Sequence, residues 1–373
     1  METANGHPNA KSFMKALRII DRYIIFRYLN TFLVMIALFI PIGIMVDIAE
    51  KIDKFKEKEV PFEEILSYYL DFTWYFAYLL FPIFLFLAVI WFTSKLANNT
   101  EVIAILSSGI SFQRYLRPFI VAATFIALIA FFGGMYIVPK SNLGFNEFRY
   151  KYLVKNEERN TSEVFQQIND NEFIFVSNYD PVRKRANNFT LEHFTDNQLN
   201  FKISARSIRW MERDSVFRLS GYERRTFIGD QERLESRPLK DTLFDFNIED
   251  LAPVKYIAET LNFGELNAFI AQEQERGSNL INNHLLVRHK RWSLPVSAFV
   301  LTLIAVAVAS FKRRGGMGVN LAFGIMLGFT YIFFDKIFGV MVNKSTFPPA
   351  LAAWLPLFIF GILAFFLLRY AKR

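Results

Sequence analysis

No cysteine occurs in the 373 residues, which excludes a disulfide, a thiolate nucleophile and a Cys-type zinc site. The four histidines, His7, His193, His284 and His289, nowhere stand at metal-ligand spacing with a set of carboxylates. No GxxxxGK(S/T) loop is present, so the chain has no recognisable nucleotide cradle of its own and implies no cofactor. Gly315-Gly316-Met317-Gly318 has two readings, a phosphate-cradling loop or small residues at a helix contact; Gly324 and Gly328, four apart, fit the second. Acidic and basic residues are missing from the middle of every long apolar run, which argues against proton- or ion-coupled transport. If this chain moves anything, the energy must come from a partner.

What is abundant is apolar: 53% hydrophobic and 17% aromatic residues, 43 of them phenylalanine. Six uncharged runs reach the roughly 17–25 residues needed to cross hydrocarbon. They are Tyr28–Val46, Phe72–Ser94, Pro118–Pro139, Trp292–Phe311, Gly315–Phe334 and Ser345–Leu368. The expected fold class is a polytopic α-helical membrane protein with six transmembrane helices. The first run is too long for a signal-peptide core and no cleavage pattern follows it, so it is expected to remain as a helix.

The net charge of +8 is gathered at span ends, unlike a nucleic-acid patch. Lys11, Lys15, Arg18, Arg22 and Arg27 precede span one; Lys95, Arg114 and Arg117 lie between spans two and three. Lys312, Arg313 and Arg314 separate spans four and five, and Arg369, Lys372 and Arg373 follow span six. Six crossings put all four groups on one side, which the positive-inside rule makes cytoplasmic. Arg288, Lys290 and Arg291 break the pattern by preceding span four on the other side. Both termini are thus expected inside.

Between spans three and four the period changes. Phe173–Val176, Phe189–Phe194, Phe201–Ile208, Val216–Leu219 and Leu243–Phe246 carry strand-like patterns, and turn residues separate several of them. These strands predict an antiparallel β-sandwich or barrel, inserted between spans three and four on the outside face. Helical patterns return at Phe263–Gly277 and Leu280–His289. The expected organisation is 1–139 (tail and three spans), 140–260 (β domain) and 261–373 (connecting helices and three spans).

Ser94–Arg114 is the stretch around which the rest is organised. Val102, Ile105, Leu106 and Gly109 follow helical spacing on one face, within a predicted surface helix over about 97–110. Asn98 is the expected cap, Glu101 the capping-box acid, and Gly109 the stop. At about 12 residues this helix cannot span a bilayer. Glu101 is read either as a helix-start acid favoured by the dipole or as a coupling residue. A cytoplasmic helix, no nucleotide site and an external β domain suit a permease driven by a separate ATPase. Outside span one, Asp47–Glu64 is read either as a solvated helix extension or as a basic rim for an anionic ligand.

Several short motifs recur in order: Ile20-Asp21-Arg22-Tyr23-Ile24, Thr100-Glu101-Val102-Ile103 with Ser107-Ser108-Gly109, and Met317-Gly318-Val319. Asp335-Lys336-Ile337-Phe338-Gly339 and Pro348-Pro349 with Leu355-Pro356 complete the set. Together they resemble the LptF/LptG permeases of the lipopolysaccharide export ABC transporter, over nearly the whole chain and more the LptG branch. The resemblance implies a β-jellyroll-like periplasmic domain and an LptF-like permease as heterodimer partner. It also implies an LptB-like ATPase dimer that consumes the ATP, and LptC-like and LptA-like periplasmic proteins that receive lipopolysaccharide. The location it implies is the inner membrane of a Gram-negative bacterium.

The resemblance further makes Glu101, Val102, Ile105, Leu106, Ser108 and Gly109 the ATPase-coupling residues, and Lys51, Lys54, Asp335 and Lys336 candidate lipid contacts. The alternative is a mechanotransmitting or scaffold subunit of another ABC complex that conducts no substrate itself. A membrane-embedded enzyme acting on lipid head groups is a third reading, with no convergent catalytic set behind it.

Overall fold

The structure, a computed structural model, describes residues 19–371 except 155–161, 170, 181–182, 196–197, 213, 230, 245, 247–255, 276, 279, 311–315 and 345–346. Lys11, Lys15, Arg18, Lys312–Arg314, Gly315, Lys372 and Arg373, which carry part of the charge and glycine argument, lie outside these residues. Two compact units are present: Met1–Asp53, Ile65–Ser141 and His289–Arg373 in the first, Lys54–Glu64 and Asn142–Arg288 in the second.

Among the described residues six helices are long and apolar enough to cross a membrane, as the apolar runs predict. Helix α1 spans Ile19–Glu57; α2 (Phe62–Leu79) and α3 (Phe81–Asn98) follow. The apolar run predicts span two as one helix from Phe72; it is instead two helices divided at Leu80, with Pro82 in the first turn of α3. Proline there gives up an N–H that a helix start leaves unbonded anyway. Helix α4 (Glu101–Ser107) leads into α5 (Phe112–Phe132), a π-helical turn at Gly133–Ile137 and α6 (Val138–Phe148). A second π-helical turn, Arg149–Leu153, ends the run, so span three continues about four turns past the expected boundary at Pro139.

The first unit is completed by the part of α9 (Ile281–Ala309) from His289 on, by α10 (Gly316–Asn343) and by α11 (Pro349–Ala371). Its core is built from Ile24, Tyr28, Phe84, Ile90, Phe119, Leu301 and Ile304, interleaved with Ala88, Ala122, Ala123, Ala298 and Ala305. Small residues let the backbones approach where lipid supplies no hydrophobic drive. A Cβ built on Gly324 of α10 would collide with Ile90 Cδ1, and one on Gly328 would lie 3.4 Å from Phe86 Cδ1. Gly324 thus serves close helix packing, whereas position 328 has room for a methyl group. Tyr28 and Thr302, both buried, share a 2.7 Å hydroxyl hydrogen bond that satisfies two polar groups between α1 and α9.

In the second unit the strands β1 (Ser162–Asn169), β2 (Glu172–Asp180), β3 (Arg185–Thr195), β4 (Gln198–Met211), β5 (Val216–Ile228) and β6 (Gln231–Thr242) follow each other. Every adjacent pair is antiparallel, and the order β1-β2-β3-β4-β5-β6 is a meander in one sheet. The inserted β domain is therefore present. Among the described residues, however, its strands form one open sheet rather than the two facing sheets of the expected sandwich or jellyroll. One face carries Val164, Ile174, Val176, Phe189, Leu191, Leu219 and Tyr222, covered by Phe244 and Phe246.

In Leu243–Phe246, expected as a strand, Phe244 and Phe246 pack on that apolar face just past β6, Leu243 is exposed, and Asp245 lies outside the described residues. The two predicted helical patterns appear as α8 (Phe263–Glu275) and the first turns of α9, and a further short helix, α7 (Ile257–Thr260), precedes them. A reciprocal cap starts α8: Glu265 N–H donates to Asn262 Oδ1 at 3.0 Å, and Asn262 N–H to Glu265 Oε2 at 2.9 Å.

Candidate functional site

The elbow between α3 and α5 is shorter and more tightly built than its sequence suggests. α3 runs on through Asn98, so Asn98 cannot cap the next helix. The chain reverses at Thr100, whose φ of 62° is left-handed, and α4 starts at once with seven residues. At the other end Gly109 takes φ 86°, as the glycine stop predicts, and its N–H donates to the Leu106 carbonyl at 3.2 Å. Ser111 caps α5 by accepting from the Arg114 N–H at 3.3 Å.

The apolar stripe faces inward. Val102 is 1% exposed, and Ile105 and Leu106 pack against the transmembrane core. Ile103 is 56% exposed, with Ala104, Ser107, Ser108 and Gly109 also on the surface. Of the six residues assigned to coupling, three thus anchor the helix, while Ser108 and Gly109 are presented outward. Ile103, Ala104 and Ser107 join them. A strict i, i+3, i+4 count marks a buried face, and the opposite face of the same helix is what a partner reaches.

Glu101 is fixed at the helix start by two donors: Tyr23 OH at 3.0 Å from Oε2 and Asn99 Nδ2 at 3.1 Å from Oε1. Arg114 forms a fork on Asp21, Nη1 to Oδ1 at 2.7 Å and Nη2 to Oδ2 at 2.6 Å. Two residues of one α1 turn, Asp21 and Tyr23, therefore grip the two flanks of the elbow. Separations of 93 and 78 residues hide both pairs from any local pattern.

The four candidate lipid contacts do not share one environment. Lys51 is paired with Asp47 one turn earlier and donates to Tyr68 OH at 2.8 Å. Tyr68 and Tyr69 hydroxyls donate to the other Asp47 oxygen at 3.1 and 3.2 Å. That closed cluster ties α1 to α2 and neutralises the ammonium, as a structural role requires. Lys54, in the second unit, is exposed and donates to the Leu153 carbonyl at 3.2 Å. Asp335 of α10 pairs with Lys290 of α9 at 2.8 Å, and Lys336 is exposed. In the second unit Lys151 also hydrogen-bonds Glu64, at 2.9 and 3.1 Å, and so holds that carboxyl below its usual range. Of these groups, Lys54 and Lys336 present exposed cations.

Among the described residues no group of three or more histidines or carboxylates could hold a metal ion. What the arrangement does present is an outward-facing elbow tied to span one by the Tyr23–Glu101 and Asp21–Arg114 contacts.

Residues 22–370 match the family described as lipopolysaccharide export system permease LptF/LptG. Two curated relatives are the lipopolysaccharide export system permease proteins LptG of Escherichia coli strain K12 and of the O6:H1 strain CFT073. Each is 20% identical to this chain over 291 residues, covering 77% of this chain and 80% of the relative. With the family matched across nearly its whole length, this chain belongs to the LptF/LptG permeases.

Proposed function

We propose that this chain is a membrane subunit of a lipopolysaccharide exporter in the inner membrane of a Gram-negative bacterium, and that α4 is where a separate ATPase grips it. The single observation that carries the reading is the elbow. It has a buried anchoring face, a small outward facet (Ile103, Ala104, Ser107, Ser108) and backbone stops at both ends. Such a piece transmits a push without deforming, because its apolar side cannot leave the core without exposing surface to water. An LptB-like dimer would hydrolyse ATP outside this chain.

An LptF-like permease would complete the cavity alongside α1 and α10, whose apolar segments are little buried within the chain. The β domain would lie on the periplasmic side and pass lipid to LptC-like and LptA-like proteins. Both termini would be cytoplasmic. Lys54 and Lys336 are the cations best placed to meet lipid phosphates.

The test is Ile103→Asp, which alters an exposed side chain and leaves the anchoring face intact. Co-purification of the ATPase should be lost while the chain accumulates normally in the membrane. Undiminished ATPase capture by that variant would refute docking at α4.

A further inference from the structure

The α1 end of the molecule holds a contact that docking alone does not require. Asp21 is 4% exposed and receives the two-pronged guanidinium of Arg114 at 2.7 and 2.6 Å. Beside this pair, Ile20, Ile24, Ile105 and Ile110 line a cleft between the start of α1, the elbow and the start of α5. Side-chain packing is therefore incomplete where α1 passes the elbow. No stretch of chain joins the two directly, because α4 runs covalently into α3 and α5.

A forked guanidinium–carboxylate pair fixes both separation and orientation, which a single point charge does not. Asp21 is also buried, which restricts the rotamers open to its carboxylate. One turn face over, Tyr23 holds Glu101 at 3.0 Å and braces the other flank of α4.

We propose that Asp21 and Arg114 are positioning residues that form a strut. It makes the inner end of span one move with the elbow, so that the push from the ATPase reaches span one directly rather than only through spans two and three. The proposal rests on the elbow being the ATPase contact. The strut touches neither nucleotide nor lipid, and it acts on the efficiency with which hydrolysis becomes lipid movement.

The experiment uses the complete complex in proteoliposomes with labelled lipopolysaccharide, and scores three quantities: ATPase capture, ATP hydrolysis, and lipid released per ATP. Asp21→Asn keeps the shape and removes the charge; Arg114→Lys keeps the charge and removes the fork. Both variants should capture the ATPase and hydrolyse ATP. Lipid released per ATP should fall well below that of the unaltered complex. Well-accumulated variants with unchanged lipid per ATP would overturn the strut.

Should either variant fail to accumulate, a second measurement decides. Ile20→Cys with Ile110→Cys, bridged by a short bifunctional thiol reagent, locks the cleft in a chain that has no other cysteine. A strut that is rigid through the cycle predicts that the locked complex still releases lipid. Abolished release on locking would show that the cleft must open and would overturn the proposal. Failure of the unaltered complex to capture an ATPase would instead strike the reading of the elbow itself.

Discussion

Gly324 of α10 faces Ile90 of α3 so closely that a single methyl group there tests the helix packing. A Cβ at position 324 would collide with Ile90 Cδ1 and lie 3.4 Å from both Cγ1 and Cγ2. Ile90 is fully buried, so its terminal methyl cannot turn into lipid. Gly324→Ala should therefore destabilise by about 1–3 kcal/mol through overpacking, even though alanine is the better helix former. Ile90→Val alone removes that Cδ1 methyl and should cost about 0.5–1.5 kcal/mol.

Made together, the same valine removes the colliding atom. In the Gly324→Ala background Ile90→Val should then stabilise, giving a coupling energy of about 1–3 kcal/mol. Unfolding in mixed micelles with a graded denaturing detergent, followed by tryptophan fluorescence, measures all four corners of the cycle. An equal cost for Ile90→Val in both backgrounds would refute the close approach of α10 and α3.

Two further outcomes follow from the hydrogen bonds and ion pairs. Tyr28→Phe and Thr302→Val should couple by about 0.6 kcal/mol, up to about 1.7, the range for buried hydrogen bonds between membrane helices; the same detergent titration reads it, and additive effects would deny the bond. In the β domain, Arg218 hydrogen-bonds Asp241 at 2.8 Å through two nitrogens and holds that carboxyl below its usual range. Because the folded value is depressed, the pair's support is present above the unfolded value and lost as pH falls through the lower one. Amide exchange in β6 should accelerate on acidification below about pH 4 relative to Asp241→Asn, and identical profiles would count against it.

The sequence foretells parts of this structure by periodicity and misses others for definable reasons. The six spans are plain because uncharged length has few other meanings. Gly109 is legible as a helix stop because a left-handed residue favours glycine, but Thr100 takes φ 62° with no such sign, so the helix start predicted from Asn98 falls too early. β6 (Gln231–Thr242) is largely polar on both faces, with only Leu234 and Leu239 apolar, and holds Pro238. An edge strand tolerates both, and neither alternates.

Lys51 resembles a ligand for phosphate in sequence because its charge is visible there; Tyr68 and Tyr69, which help to enclose its partner Asp47, lie on another helix. The inward turn of Val102, Ile105 and Leu106 is the same effect in reverse. The apolar stripe that identifies the helix packs toward the chain's own core, and the opposite face carries no periodic signature.

Which side of the membrane the elbow faces, and what it touches there, decides whether this chain is driven from the cytoplasm. Ser108→Cys places the only thiol of the chain on its exposed facet. A membrane-impermeant maleimide should leave that thiol unmodified in intact cells and modify it in inside-out vesicles, with added ATPase protecting it. Labelling from outside intact cells would contradict a cytoplasmic elbow and the ATPase contact built on it.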